Sequence, residues 1–213
     1  MNTLSLSELS ERIALHSKWL ASLGRSGRQL VLEGADLTGL DLTGVDFTDT
    51  SLASVRLDRA VLRRCTFSGA NLASASLNEA DLAEADFTKA NLDYTSLRQA
   101  SLRGVRGFRA SFHQADFRGA DLTAANLFRA YLRDAKLEGA LLRGANLEQA
   151  DMTGAWVDGA CFDEARSVET VAVQRLHVGP EAELEGQAAL QWLIGAAGPQ
   201  PPRVRNDPQT GID

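Results

Sequence analysis

The chain has 213 residues, 44% of them hydrophobic and 23% charged, and 28 Asp and Glu against 22 Lys and Arg leave a formal net charge of −6. That composition suits one domain of soluble type: no apolar run is long enough to span a bilayer, and the negative balance argues against nucleic acid as a direct ligand. Residues 1–10 carry Glu8 and no apolar stretch, so no secretory signal peptide is expected.

Residues 1–29 are expected to form an N-terminal capping segment. Within it, 5–23 carry Leu9, Ile13, Trp19, Leu20 and Leu23 in an amphipathic pattern, with Ser5 or Ser7 available as N-cap and Gly24 as a stop. Residues 30–164 are a repeat. From Leu32 to Phe162 every fifth residue is Leu, Phe, Met or Val, apart from Gly107, over 27 consecutive units. Two positions earlier stands a small residue, usually Ala (Ala35, Ala70, Ala120), and between them Asp or Asn (Asp36, Asn71, Asp121). A period of five is neither the 3.6 of a helix nor the 2.0 of a flat strand. Held this long, it predicts a solenoid whose coil is a multiple of five residues, and the N-terminal helix would cover its open first coil.

The repeat stops after Ala165. Within 165–197, Thr170–Val178 alternates as a strand would, Gly179-Pro180 reads as a turn, and 181–194 reads as a helix bearing Leu184, Leu190, Trp192, Leu193 and Ile194. The last segment, 198–213, carries Pro199, Pro201, Pro202 and Pro208 and reads as a disordered tail.

Tandem Ala-(Asp/Asn)-Leu-x-x, as in Gly34-Ala35-Asp36-Leu37 and Arg118-Gly119-Ala120-Asp121-Leu122, resembles the motif of the pentapeptide-repeat family, and the likeness covers residues 30–164. What it implies is an all-β solenoid, a right-handed quadrilateral β-helix in which four pentapeptides make one square coil of 20 residues. The Leu or Phe and the small residue two before it would point inward, and the other three positions would face water. The units would then make about seven coils, a rod of roughly 32 Å at the spacing of neighbouring strands. The 20-residue coil has independent support: Phe47, Phe67 and Phe87 are twenty apart and would stack as an internal ladder.

That ladder assigns a fourth inward slot to residue 107, which is Gly, and Phe108 follows at once. Two readings stand: a local bulge swings Phe108 inward, or Phe108 faces water above a small void. In the outward reading Phe128 lies one coil along at the same position, Lys89, Arg109 and Arg129 form a parallel series, and Arg106 is adjacent. An exposed Phe pair flanked by Arg has the composition of a protein-interaction hot spot.

The search for catalytic or metal chemistry yields nothing. His16, His113 and His177 are far apart in the chain, none in metal-ligand spacing, and no phosphate loop or nucleophile elbow occurs. The recurring Asp occupy one repeat position, where they are expected to hydrogen-bond the local turn. Cys65 takes an inward slot and Cys161 an outward one, 96 residues apart. At nearly five coils, about 23 Å, they are beyond disulfide reach, which predicts a reduced, cytoplasmic protein. No enzyme, cofactor or metal is expected.

Function should therefore lie in outward residues. The resemblance extends to bacterial proteins that bind DNA gyrase as DNA mimics and protect it from topoisomerase-poisoning antibiotics, some of which dimerise through a C-terminal helix. Carried onto this chain, it implies an acidic surface of Asp41, Asp46, Asp49, Asp81, Glu84 and Asp86, and a homodimer contact at Leu190, Trp192 and Leu193. The outer surface is mixed, with Arg63 and Arg64 interrupting the acidic stripe, and no sizeable loop is inserted between coils. The alternative is a general scaffold or effector module with another protein partner and no membrane contact.

Overall fold

The structure is a computed structural model that describes residues 5–198. Almost all of the expected tail 198–213 therefore lies outside the described residues.

Helix α1 (Leu6–Ala21) opens the chain. Ser5 is its N-cap: its hydroxyl accepts from the Glu8 backbone N–H, and the Glu8 carboxylate accepts from the Ser5 N–H in return, a capping box that satisfies two otherwise orphaned donors. The helix stops where Leu23 and Gly24 turn left-handed, with φ of 53° and 82°. Leu9 and His16 form its buried face, with Ile13 half-buried beside them. Leu23, expected on that face, is instead 87% exposed, because it lies past the last helical turn.

The middle of the chain is one repeated event. Parallel bridges join Val31 to Ser51, Asp36 to Arg56, Asp41 to Val61 and Asp46 to Thr66, and the twenty-residue offset continues to Asn146 and Arg166. Each five-residue side ends in a turn closed by a backbone bond from residue n+3 to n, as from Ala70 N–H to the Phe67 carbonyl at 3.0 Å. The second central residue of each turn takes positive φ, as a type II turn requires, whether it is Gly69 at 67° or Arg109 at 54°. The Leu, Phe or Met and the small residue two before it are buried along the rod: Leu52, Leu62, Phe67 and Met152 are 0% exposed, and Ala110 and Ala120 likewise. Phe47, Phe67 and Phe87 stack with centroids 5.0 Å apart at each step, forming the expected internal ladder.

The recurring Asp and Asn do what turn chemistry asks of them. Asp36, Asp46, Asp121 and Asn146 each accept from the backbone N–H two residues on, at 2.9–3.1 Å. Where Ser replaces them, a side chain from the previous coil substitutes: Asp93 Oδ1 accepts from both the Ser111 hydroxyl and the His113 N–H.

At the far end strand β1 (Ala155–Trp156) pairs in parallel with β2 (Arg175–Gly179), which pairs antiparallel with β3 (Ala182–Glu185). Helix α2 (Gly186–Ala197) follows. Two expectations change here. The strand is shorter than Thr170–Val178, because Val168–Thr170 form a 3₁₀ turn that repositions the chain. Residues 182–185 are a strand rather than helix, because Gly179-Pro180 turns the chain back onto β2 and Leu184 pairs with Leu176.

Candidate interaction surface on the Gly107 side of the rod

The side whose inward residues are Phe47, Phe67, Phe87, Gly107 and Leu127 carries the departure from the repeat. At Gly107 the backbone frame is undisturbed: its N–H donates to the Asn126 carbonyl at 2.7 Å and its carbonyl accepts from Ala110 N–H at 3.1 Å. No bulge forms, so Phe108 keeps its outward position. The small void expected behind it is filled as well. A Cβ on Gly107 would lie 3.0 Å from Leu127 Cδ2 and 3.5 Å from Phe112 Cε2, so neighbouring side chains have taken the slot. Phe112, from the next side of the coil, meets Phe87 edge-on at 6.5 Å and Phe117 at 5.2 Å, carrying the aromatic line round the corner.

Outside, Phe108 and Phe128 stack with centroids 5.5 Å apart and planes 21° apart, both half-buried. The Arg109 guanidinium lies 5.2 Å from the Phe108 centroid and that of Arg129 4.9 Å from Phe128, within cation–π range. Lys89 continues the file one coil earlier. Arg106 instead bonds Asp86 at 2.8 Å. The six residues expected as an interaction group are thus brought to one side of the rod, five of them free of carboxylates and Arg106 paired.

The acidic group is divided. Asp81, Glu84 and Asp86 are neutralised from neighbouring coils, by Arg63 at 2.5 Å, Arg64 at 2.8 Å and Arg106 at 2.8 Å. Burial would raise the Asp86 pKa, but hydrogen bonds from Thr88 and the Arg106 guanidinium bring it below the usual carboxylate range. Asp41, Asp46 and Asp49 form no ion pair among the described residues; the Thr43 hydroxyl and N–H bond Asp41 and hold its pKa low.

The three residues expected at a dimer contact, Leu190, Trp192 and Leu193, all lie on α2, where they differ in exposure. Leu193 is 0% exposed, Trp192 meets Phe162 edge-on at 6.2 Å, and Leu190 is half-buried. Helix α2 buries Ala189 and Leu193 at this end of the rod, where Glu164 N–H also donates to the Ala197 carbonyl at 3.1 Å.

Cys65 and Cys161 are both free. The Cys65 thiol donates to the Leu42 carbonyl at 3.0 Å, and burial pushes its pKa up to about 11, which leaves it unreactive. His16 is buried, with Nδ1 accepting from Leu30 N–H at 3.2 Å. His113 lies edge-on to Tyr94 at 5.6 Å, and His177 stacks on Trp156 at 3.9 Å beside Glu183. Neither of these last two pairs was anticipated: Tyr94 and His113 are diagonal neighbours 19 residues apart, and Trp156 and His177 are register partners where the offset has grown to 21. Among the described residues no group of His, Cys, Asp and Glu converges to hold a metal, and no helix is long and apolar enough to cross a membrane.

The pentapeptide-repeats family profile matches in eight copies, over residues 31–69, 65–104, 85–123 and 125–163. The chain is a pentapeptide-repeat protein. Proteins of this family are right-handed quadrilateral β-helices, and the parallel twenty-residue register is that architecture. Among solved structures this pentapeptide-repeat protein is similar to HetL of Nostoc sp. strain PCC 7120, involved in heterocyst differentiation regulation, at 27% identity over 74% of this chain and 75% of HetL, with a TM-score of 0.41. It is also similar to full-length QnrB1, a plasmid-mediated fluoroquinolone resistance protein, at 16% identity over 78% of this chain and 98% of QnrB1, TM-score 0.36. A third is Rfr23 from the cyanobacterium Cyanothece 51142, at 26% identity over 61% of this chain and 89% of that one, TM-score 0.26. No curated protein matches the sequence.

Proposed function

We propose that this protein is a non-enzymatic, cytoplasmic rod that binds another protein through its outward side chains. The observation that carries the reading is the Phe108–Phe128 stack under two guanidiniums, an assembly the fold does not need, on a rod whose interior is filled by its own side chains. Aromatic rings and arginines concentrate binding energy at protein interfaces. A homodimer through α2 would draw on its outward Ile194, 37% exposed, and on the half-buried Leu190 and Trp192, since Leu193 is fully buried. The test is a photo-crosslinking residue placed in turn at Ser111, Ser96, Ser101 and Phe108, one per side of the coil, with adducts from the native cell identified by mass spectrometry. A saturable adduct to one protein from at least one side is expected. Four blank positions would overturn the reading.

A narrower form makes that partner DNA gyrase or another topoisomerase, held by partial DNA mimicry and thereby protected from poisoning antibiotics. The unpaired carboxylates Asp41, Asp46 and Asp49 near the N-terminal end of the rod favour it. Against it, duplex DNA presents a charge about every 1.7 Å, whereas Asp81, Glu84 and Asp86 here are neutralised by arginines. Relief of drug-stabilised gyrase cleavage by the purified protein would support this form. Inertness with both quinolones and peptide poisons would remove it and leave the scaffold reading.

A further inference from the structure

Several arginines elsewhere on the rod are matched by carboxylates, although Arg59 and Arg166 form no ion pair among the described residues. Arg63 meets Asp81 at 2.5 Å, Arg103 meets Asp121 at 2.9 Å, and Arg64 meets Glu84 at 2.8 Å. The last pair is instructive, because both residues occupy the left-handed corner position, with φ of 57° and 61°, one coil apart. The corner geometry therefore allows an ion pair to form down the column. On the Gly107 side the same column reads Lys89, Arg109, Arg129, with φ of 58°, 54° and 58°. Each coil there meets another cation where Arg64 meets an acid. None of the three has a carboxylate within 4.0 Å among the described residues. Arg129 bonds only the neutral Gln149 amide, at 2.7 Å.

Coils repeat at about 4.8 Å, so this file sets like charges close together, where they repel even in water. The adjoining Phe108 and Phe128 rings are covered on one side only by their arginines. A file of unmatched cations beside half-buried rings destabilises the isolated rod. A ligand that supplies anions in register and one apolar group removes both penalties.

We propose that this corner binds an acidic helical segment of a partner protein, lying parallel to the rod, with carboxylates on successive helical turns against Lys89, Arg109 and Arg129 and an apolar side chain on the Phe108–Phe128 stack. The proposal rests on the interaction-rod reading and names its partner's chemistry. Spacing selects the helix. One helical turn advances about 5.4 Å, so over two steps it departs from the coil spacing by about 1.2 Å, within the reach of a flexible Arg or Lys. Same-side residues of an extended strand recur at about 6.7 Å and drift by nearly 4 Å over the same two steps. Nucleic acid would supply anions too, but the whole protein's charge of −6 repels it.

The test is fluorescence anisotropy with a labelled, helix-forming peptide carrying Glu at i, i+4 and i+7 and Leu at i+3, beside the same peptide with Gln for Glu and a single-stranded oligonucleotide. The Glu peptide is expected to bind, more tightly at low salt, and to lose tenfold or more in affinity to R109E/R129E and to F108S/F128S. Thermal midpoints of both variants should match the parent, and should F108S/F128S fail to fold, the charge-reversed variant decides alone. Equal binding of the Gln peptide, undiminished binding to R109E/R129E, or tighter binding of the oligonucleotide would overturn the proposal. So would a concentration-dependent dimer abolished by R109E/R129E, which would assign the corner to a second copy. Crosslinks from other sides of the rod without peptide binding would sink this inference alone. Peptide binding with four blank crosslinking positions would sink the broader reading instead.

Discussion

Asp116 is the most heavily bonded carboxylate on the rod. It accepts from Arg98 Nε at 2.7 Å and from Arg118 at 2.9 and 2.6 Å, with its side chain only 12% exposed. Burial alone would raise its pKa, but hydrogen bonds from Arg118 and Arg98 outweigh that and hold it at about 2. The folded value is below the unfolded one, so the stabilisation is complete above about pH 4 and is lost as pH falls toward 2, a contribution of about 2 kcal/mol at neutral pH. Asp116→Asn should therefore lower the thermal midpoint at pH 7, and the gap to the parent should close by pH 2. A gap constant across that range would refute the assignment. Some of this was readable from sequence and some was not. The bonding of Asp and Asn to their own turn follows from residue type and position alone, as at Asp36 and Asp121. The Arg98–Asp116–Arg118 cluster depends on 18-residue diagonal contacts and on which way long side chains lean, and column counting does not supply that. The same limit left Phe108 undecided, because Leu127 and Phe112 together fill the Gly107 slot and the backbone frame there is unbroken.

His16 decides how α1 meets the rod. The apolar pattern picked out Leu9 and Ile13, and the sequence left open whether His16 faces the rod or the solvent; it is fully buried and stacks on Trp19 at 5.7 Å. Burial lowers its pKa, opposed by the Thr48 backbone and the nearby Asp46 and Asp49 carboxylates. A folded pKa below the ordinary 6.5 makes the neutral ring the stabilising form, so the docking is complete above that pH and weakens as pH falls below it. Protection of the Leu30 amide, which donates to His16 Nδ1, should decline between pH 6.5 and 5 ahead of amides in mid-rod. Uniform decline across all coils would show that His16 has no part in it. Gly27 matters to the same contact: a Cβ there would come within 2.2 Å of the Leu15 carbonyl, so the chain passes too close to α1 for any side chain. At the other end, the amphipathic character of 181–194 was legible but its split into β3 and α2 was not, because the hairpin depends on β2 offering an open edge.

Across the whole molecule, the fold was readable almost completely, since a five-residue frame repeated this often admits few alternatives. What the frame cannot encode is how its ends are closed. Leu193 and Ala189 of α2 are 0% exposed against the last coil, so that end depends on a few side chains. Leu193→Asp buries an unpaired charge, which costs roughly 3–5 kcal/mol, and it should expose the terminal strand edge. Light scattering should then show concentration-dependent association of the variant where the parent stays monodisperse; a monodisperse, fully stable variant would show that α2 is dispensable.

The offset of twenty between bridged residues, kept from Val31 through Arg166, has a consequence for how such a chain can change length. Excising one full turn between Phe108 and Phe128 would leave every downstream side chain on its former side and merely shorten the molecule. Excising five residues there would preserve the interior equally well but rotate everything beyond by a quarter turn, carrying Arg129 away from Arg109 onto another wall. Length in this protein is therefore negotiable only in whole revolutions wherever two marks must remain in line.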